Sequence, residues 1–121
     1  MNFKRIGLLA AGIIMAITVS AQSLVGDWKG TLTVQGVELE LVFHVEKAGD
    51  DYTSTMDVPL QGAVGIPVEK TVLDGNSVLF AIPAAQISVK GTIEGNTITA
   101  DYEQAGQQFP LVLTKFEQTL P

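Results

Sequence analysis

Apolar and polar positions alternate with period two along most of the chain. In Glu38–Glu46 one face holds Leu39, Leu41, Phe43 and Val45, and the other holds Glu38, Glu40, His44 and Glu46, with Val42 the exception. In Gln86–Tyr102 one face reads Ile87, Val89, Gly91, Ile93, then Ile98, Ala100, Tyr102, opposite Gln86, Ser88, Lys90, Thr92, Glu94. Such alternation predicts half-buried antiparallel strands. Turn residues separate the runs: Gln35-Gly36, Gly49-Asp50-Asp51, Asp74-Gly75-Asn76, Glu94-Gly95-Asn96 and Ala105-Gly106. Gly-Asn at 75–76 and 95–96 suits two-residue hairpin turns that need positive φ. Eight strands are predicted, roughly at 25–35, 37–47, 52–58, 67–73, 77–82, 85–94, 97–104 and 107–116. From residue 22 onward, no window of ten or more residues carries a helical stripe free of Gly and Pro. The predicted fold is all-β, a single antiparallel eight-stranded up-and-down barrel. A two-sheet sandwich is the alternative; the barrel is preferred because closure removes exposed strand edges.

The N-terminus changes the count of structural residues. Met1–Arg5 is short and basic, Ile6–Val19 carries no charge, and Val19-x-Ala21 ends the run with small residues. This is the three-part pattern of a secretory signal peptide over 1–21, leaving a β-barrel domain over 22–121. The apolar run of 14 residues is shorter than the roughly 20 needed to span a bilayer. The expected location is therefore secreted or periplasmic, with no membrane span. Residues 22–121 hold 13 acids against 5 lysines and no Arg, a net charge of −8, which argues against nucleic-acid binding. Val, Ile and Thr supply 27 of these 100 residues, in keeping with a pleated surface. There is no Cys, so disulfides, zinc-thiolate sites and a lipid-bearing Cys are ruled out.

The expected interior set is Trp28, Leu32, Val34, Leu39, Leu41, Phe43, Val45, Met56, Val58, Val68, Val72, Val78, Phe80, Ile82, Ile87, Val89, Ile93, Ile98, Tyr102, Phe109, Leu111 and Leu113. None is ionised at neutral pH. An eight-stranded barrel is of the size that is either filled by side chains or holds one small ligand, and both readings stay open. Candidate ligand-binding residues are Leu41, Phe43, Met56, Phe80, Tyr102 and Phe109, with a hydroxyl of Tyr52 or Tyr102 as polar anchor. A charged ligand would need a buried counter-charge that this set lacks, so a small neutral apolar ligand is expected.

Gly26-Asp27-Trp28 resembles the Gly-x-Trp signature on the first strand of lipocalins and related calycin barrels. That resemblance implies that Trp28 closes one barrel end beside Gly26. It also implies a basic residue from the last strand, here Lys115, packed over the indole in place of the usual Arg. A second resemblance spans nearly all of 22–121. The runs Gly26-Asp27-Trp28-x-Gly30-x-Leu32, Asp57-x-Pro59-x-Gln61-Gly62-Ala63-x-Gly65-Ile66-Pro67-Val68 and Gly106-Gln107-x-Phe109-Pro110-Leu111 carry it. They look like the small β domain that precedes the catalytic domain of secreted Bacteroidetes α/β-hydrolases. It implies an accessory or stand-alone copy of that domain, whose partner would be a secreted hydrolase domain, and no hydrolase activity in this chain.

The chemistry-bearing residues point the same way. No Gly-x-Ser-x-Gly nucleophile elbow is present. The single His44 is expected to face outward beside Glu40 and Glu46, as an exposed residue or a mild pH sensor. Asp50-Asp51 lacks the spacing of a calcium loop. No enzyme, cofactor or metal is expected. Pro59–Pro67 is apolar, with two Gly and two Pro, and is expected to be a long loop. Its Leu60, Gln61, Val64 and Ile66 would seal the barrel end, gate a ligand or dock on a partner. Pro110, inside the last strand, predicts a bulge or an opening beside a neighbouring strand.

Overall fold

A computed structural model describes residues 23–117. The expected leader at 1–21 lies outside them. Nine antiparallel strands form one nearly closed up-and-down barrel: β1 Gly26–Val34, β2 Val37–Ala48, β3 Asp51–Val58, β4 Ala63–Val68, β5 Lys70–Asp74, β6 Ser77–Ile82, β7 Ile87–Glu94, β8 Thr97–Gln104 and β9 Gln107–Phe116. Short 3-10 turns at Pro59–Gln61 and Pro83–Ala85 follow β3 and β6. Among the described residues no helix is long and apolar enough to cross a membrane.

The hydrogen-bonded order is β4-β3-β2-β1-β9-β8-β7-β6-β5. The strand count of eight is corrected to nine. Residues expected as a loop from Pro59 and a strand over 67–73 instead form a 3-10 turn and two strands that meet at Glu69. β4 pairs with β3 and β5 with β6, and both run in the same direction, because β3 and β6 do. One bent length of chain thus changes partner half-way and bridges the two ends of the sheet. The periodicity fails here because β4 carries Gly65 at positive φ and a register shift opposite Met56–Val58. Pro67 is tolerated because one edge of β4 bears no ladder.

The turns at Gln35-Gly36 and Ala105-Gly106 share an end with the two 3-10 turns; those at Gly49-Asp50, Gly75-Asn76 and Gly95-Asn96 lie at the opposite end with Ser23 and Glu117. The interior is apolar, from Leu24 and Trp28 through Phe43 and Phe80 to Leu111 and Leu113. Burying these side chains is the main stabilising contribution, in the absence of any cross-link. One expected interior residue is corrected: Val72 is 45% exposed. Its neighbours Thr71 and Leu73 face inward instead, since β5 starts after the break at Glu69 and so takes the opposite phase. Pro110 sits in an uninterrupted β8–β9 register, opposite Asp101. No bulge forms there; the β1–β9 register covers Asp27–Lys29 against Thr114–Phe116, which leaves Pro110 beyond it.

Candidate functional site

The barrel interior divides into a packed part and an open part. In the packed part, the rings of Phe43 and Phe80 stack with centroids 4.4 Å apart and planes 18° from parallel. Toward the end that holds Ser23 and Glu117, Trp28 is fully buried and its Nε1 donates to the Leu24 carbonyl at 2.9 Å. The Lys115 ammonium lies 5.1 Å from the Trp28 ring centroid and donates to the Ser23 carbonyl at 2.8 Å. Gly26 adopts φ +138°, and a Cβ there would stand 3.1 Å from Lys115 Cε. Gly26, Trp28 and Lys115 are therefore brought together, with Leu24 as a plug that alternation could not assign because it precedes β1.

At the opposite end lies a cavity of about 300 Å³. Leu32, Val34, Leu39, Leu41, Met56, Val58, Ile66 and Ile87 give it an apolar wall; Gln61, Tyr102 and Gln104 are its polar lining. At roughly 30 Å³ per water it has room for about ten waters. It stands at the lower limit of the volumes that hold small ligands. The Tyr102 hydroxyl donates to Gln104 Oε1 at 3.0 Å. Burial pushes the Tyr102 pKa above its ordinary value, so the phenol is neutral at physiological pH.

Of the candidate ligand residues, Leu41, Met56 and Tyr102 line this cavity. Phe43 and Phe80 belong to the packed part, and Phe109 packs against Tyr102 with ring centroids 6.5 Å apart. The 59–67 segment splits. Gln61 and Ile66 line the cavity, whereas Leu60 and Val64 are exposed by 67% and 77%. Gln104 was missed by the sequence reading, although it continues the inward phase of Ile98, Ala100 and Tyr102 along β8.

A second cluster stands on the outer face. His44 Nδ1 lies 2.7 Å from Asp27 Oδ1, and Nε2 lies 2.8 Å from Asp57 Oδ2. The carboxylates come from the flanking strands β1 and β3, not from Glu40 and Glu46 of its own strand, which corrects the expected neighbours. The other Asp57 oxygen, Oδ1, accepts the Gly65 N–H at 2.7 Å. Partial burial opposes the charge on His44, but hydrogen bonds and the negative charges of Asp27 and Asp57 outweigh it and raise its pKa. Burial likewise opposes ionisation of Asp57; the Gly65 hydrogen bond and His44 overcome it and lower the Asp57 pKa. Among the described residues no group of three or more His, Asp or Glu could hold a metal ion.

No protein-family model matches the chain, and no curated protein matches it.

Proposed function

We propose that this chain is a secreted, non-enzymatic, lipocalin-like binding domain that takes one small neutral apolar ligand at the end of its barrel. The observation that carries this reading is the cavity of about 300 Å³ with an apolar wall and a Tyr102–Gln104 hydrogen bond in its lining. No lining side chain is ionised at neutral pH, so a charged ligand would lose its hydration without gaining a counter-charge. The Tyr102 oxygen and the Gln104 amide can bond a hydroxyl or carbonyl at one end of an otherwise apolar molecule. The non-enzymatic part is supported by His44, whose two ring nitrogens are both held by carboxylates, leaving neither free to act as a general base. The basic start, the apolar run and Val19-x-Ala21 support export.

The test is a fluorescence titration of the purified protein with N-phenyl-1-naphthylamine, followed by displacement with 1-octanol, ethyl benzoate and laurate. Enhancement, displacement by the two neutral compounds and weak displacement by laurate are expected. Leu41→Trp, which fills the cavity, should abolish enhancement. A folded wild type that gives none would sink this reading.

Exposed Leu60 and Val64 favour a second reading, an accessory domain that docks on a secreted α/β-hydrolase. Leu60→Asp should then weaken association with that hydrolase while leaving probe binding intact.

A further inference from the structure

We propose that His44 is a positioning residue, an imidazolium latch that holds the β4 strap against the barrel and so controls entry to the cavity. The chain of contacts is continuous. Asp27 on β1 and Asp57 on β3 each take one ring N–H of His44 on β2, tying three strands across the outer face. Asp57 then holds the backbone of β4 through Gly65. The next residue, Ile66, and Gln61 just before β4 line the cavity. A shift of the Gly65 backbone therefore moves the cavity wall.

Two features make this a latch and not an ordinary strand contact. A carboxylate only accepts, so satisfying both Asp27 and Asp57 requires both ring nitrogens to carry hydrogen, which only the imidazolium provides. Neutral imidazole has one N–H, and on deprotonation one of the two carboxylates faces a lone pair. Gly65, moreover, adopts φ +72°, which turns its N–H away from regular strand geometry and toward Asp57. A side chain there would be strained, so the strap and its anchor come as a unit.

The groups facing His44 leave it as the element that changes near neutrality. From β1 come Asp27 and, two residues on, Lys29, whose ammonium sits over the Phe116 ring at 4.9 Å. From β2 come Glu46 and Glu40 on the same face, and from β3 Asp57 and Thr55. The adjoining part of β4 presents Gly65 and Pro67, neither titratable. The negative charges of Asp27 and Asp57 beside the ring favour its protonated form. The coupling to ligand rests on reading the cavity as a binding site; the hold on Gly65 does not.

The experiment follows the full protein from pH 5 to pH 9. His44 protonation is read by imidazole NMR, Gly65 by its amide hydrogen-exchange protection factor, and access by stopped-flow entry and exit of N-phenyl-1-naphthylamine. Gly65 protection should fall, and both probe rates should rise severalfold, along the His44 titration curve. His44→Gln should leave both readouts flat with pH, at the values wild type reaches when deprotonated. A Gly65 protection factor that ignores the His44 titration overturns the latch, using wild type alone. Gly65 loosening with unchanged probe rates overturns the gating. If no probe binds at any pH, the cavity reading falls, and Gly65 exchange by itself decides the latch.

Discussion

The hydroxyls of Ser54 and Thr71 hydrogen-bond to each other at 2.7 Å, buried in the seam where β3 and β5 face one another without a ladder. Both are polar groups inside an apolar barrel, so each depends on the other. Ser54→Ala strands the Thr71 hydroxyl and should cost about 1–3 kcal/mol. Adding Thr71→Val should recover part of that loss. A double-mutant cycle by urea denaturation measures it, and additive losses would show that the pair is not coupled.

Trp28 reports on the end of the barrel that holds Ser23 and Glu117. The fully buried indole should emit at a blue-shifted wavelength in the native protein, and emission typical of exposed Trp would contradict the packing described. Trp28→Ala should cost about 3–5 kcal/mol in denaturant melts. Lys115→Met should cost far less, about 0.5–1 kcal/mol, since its cation–π contact is at the surface.

Stability should follow a plateau in pH. The His44 pKa is raised on folding, so its contribution is complete below its ordinary 6.5 and is lost as pH climbs through the folded value. The Asp57 pKa is lowered, so its contribution is present above its ordinary 3.8 and is lost as pH falls through the folded value. Thermal melts across pH should therefore fall off on both sides of a mildly acidic maximum. His44→Gln should remove the alkaline decline; a decline that persists would assign it to other groups.

Tyr102→Phe separates the polar contact from the apolar wall. The ring remains against Phe109, while Gln104 loses its donor. Stability should change by about 0.5–1.5 kcal/mol. Affinity for 1-octanol should drop severalfold while N-phenyl-1-naphthylamine binding is kept, as read by displacement titration. Equal loss of both would place the damage in the wall itself.

Most of the barrel was legible because period-two alternation is a local signal, and it marked nearly every inward residue from Trp28 to Leu113. It failed at 59–73, where a register shift and the break at Glu69 reset the phase and turned Val72 outward. The His44 cluster was legible only in part. Asp27, His44 and Asp57 all fall on outward phases, but their meeting depends on register. The two-residue turn at Gln35-Gly36 puts Asp27 opposite His44, and the turn at Gly49-Asp50 puts Thr55 opposite His44 with Asp57 one step diagonal. Same-strand neighbours such as Glu40 lie farther off than these cross-strand partners. The cavity was legible only as one of two options, with Leu41, Met56 and Tyr102 among its candidate residues, because alternation gives direction and not how completely side chains fill the space they point into.

The strand order also dictates how the chain can find its native state. Every ladder from β1 to β4 and from β5 to β9 joins sequence neighbours, and each can zip from its own tight turn. Among the described residues the β1–β9 ladder alone joins distant segments, pairing Trp28 with Lys115. Closing that loop carries the largest entropic cost of any pairing in the sheet. Two preformed meanders, 26–68 and 70–116, should therefore assemble before the barrel shuts, with docking of β1 on β9 as the slow step. Mutations at Trp28 would then retard folding, whereas those in the hairpin turns at Gly75 or Gly95 would act within one half before the halves meet.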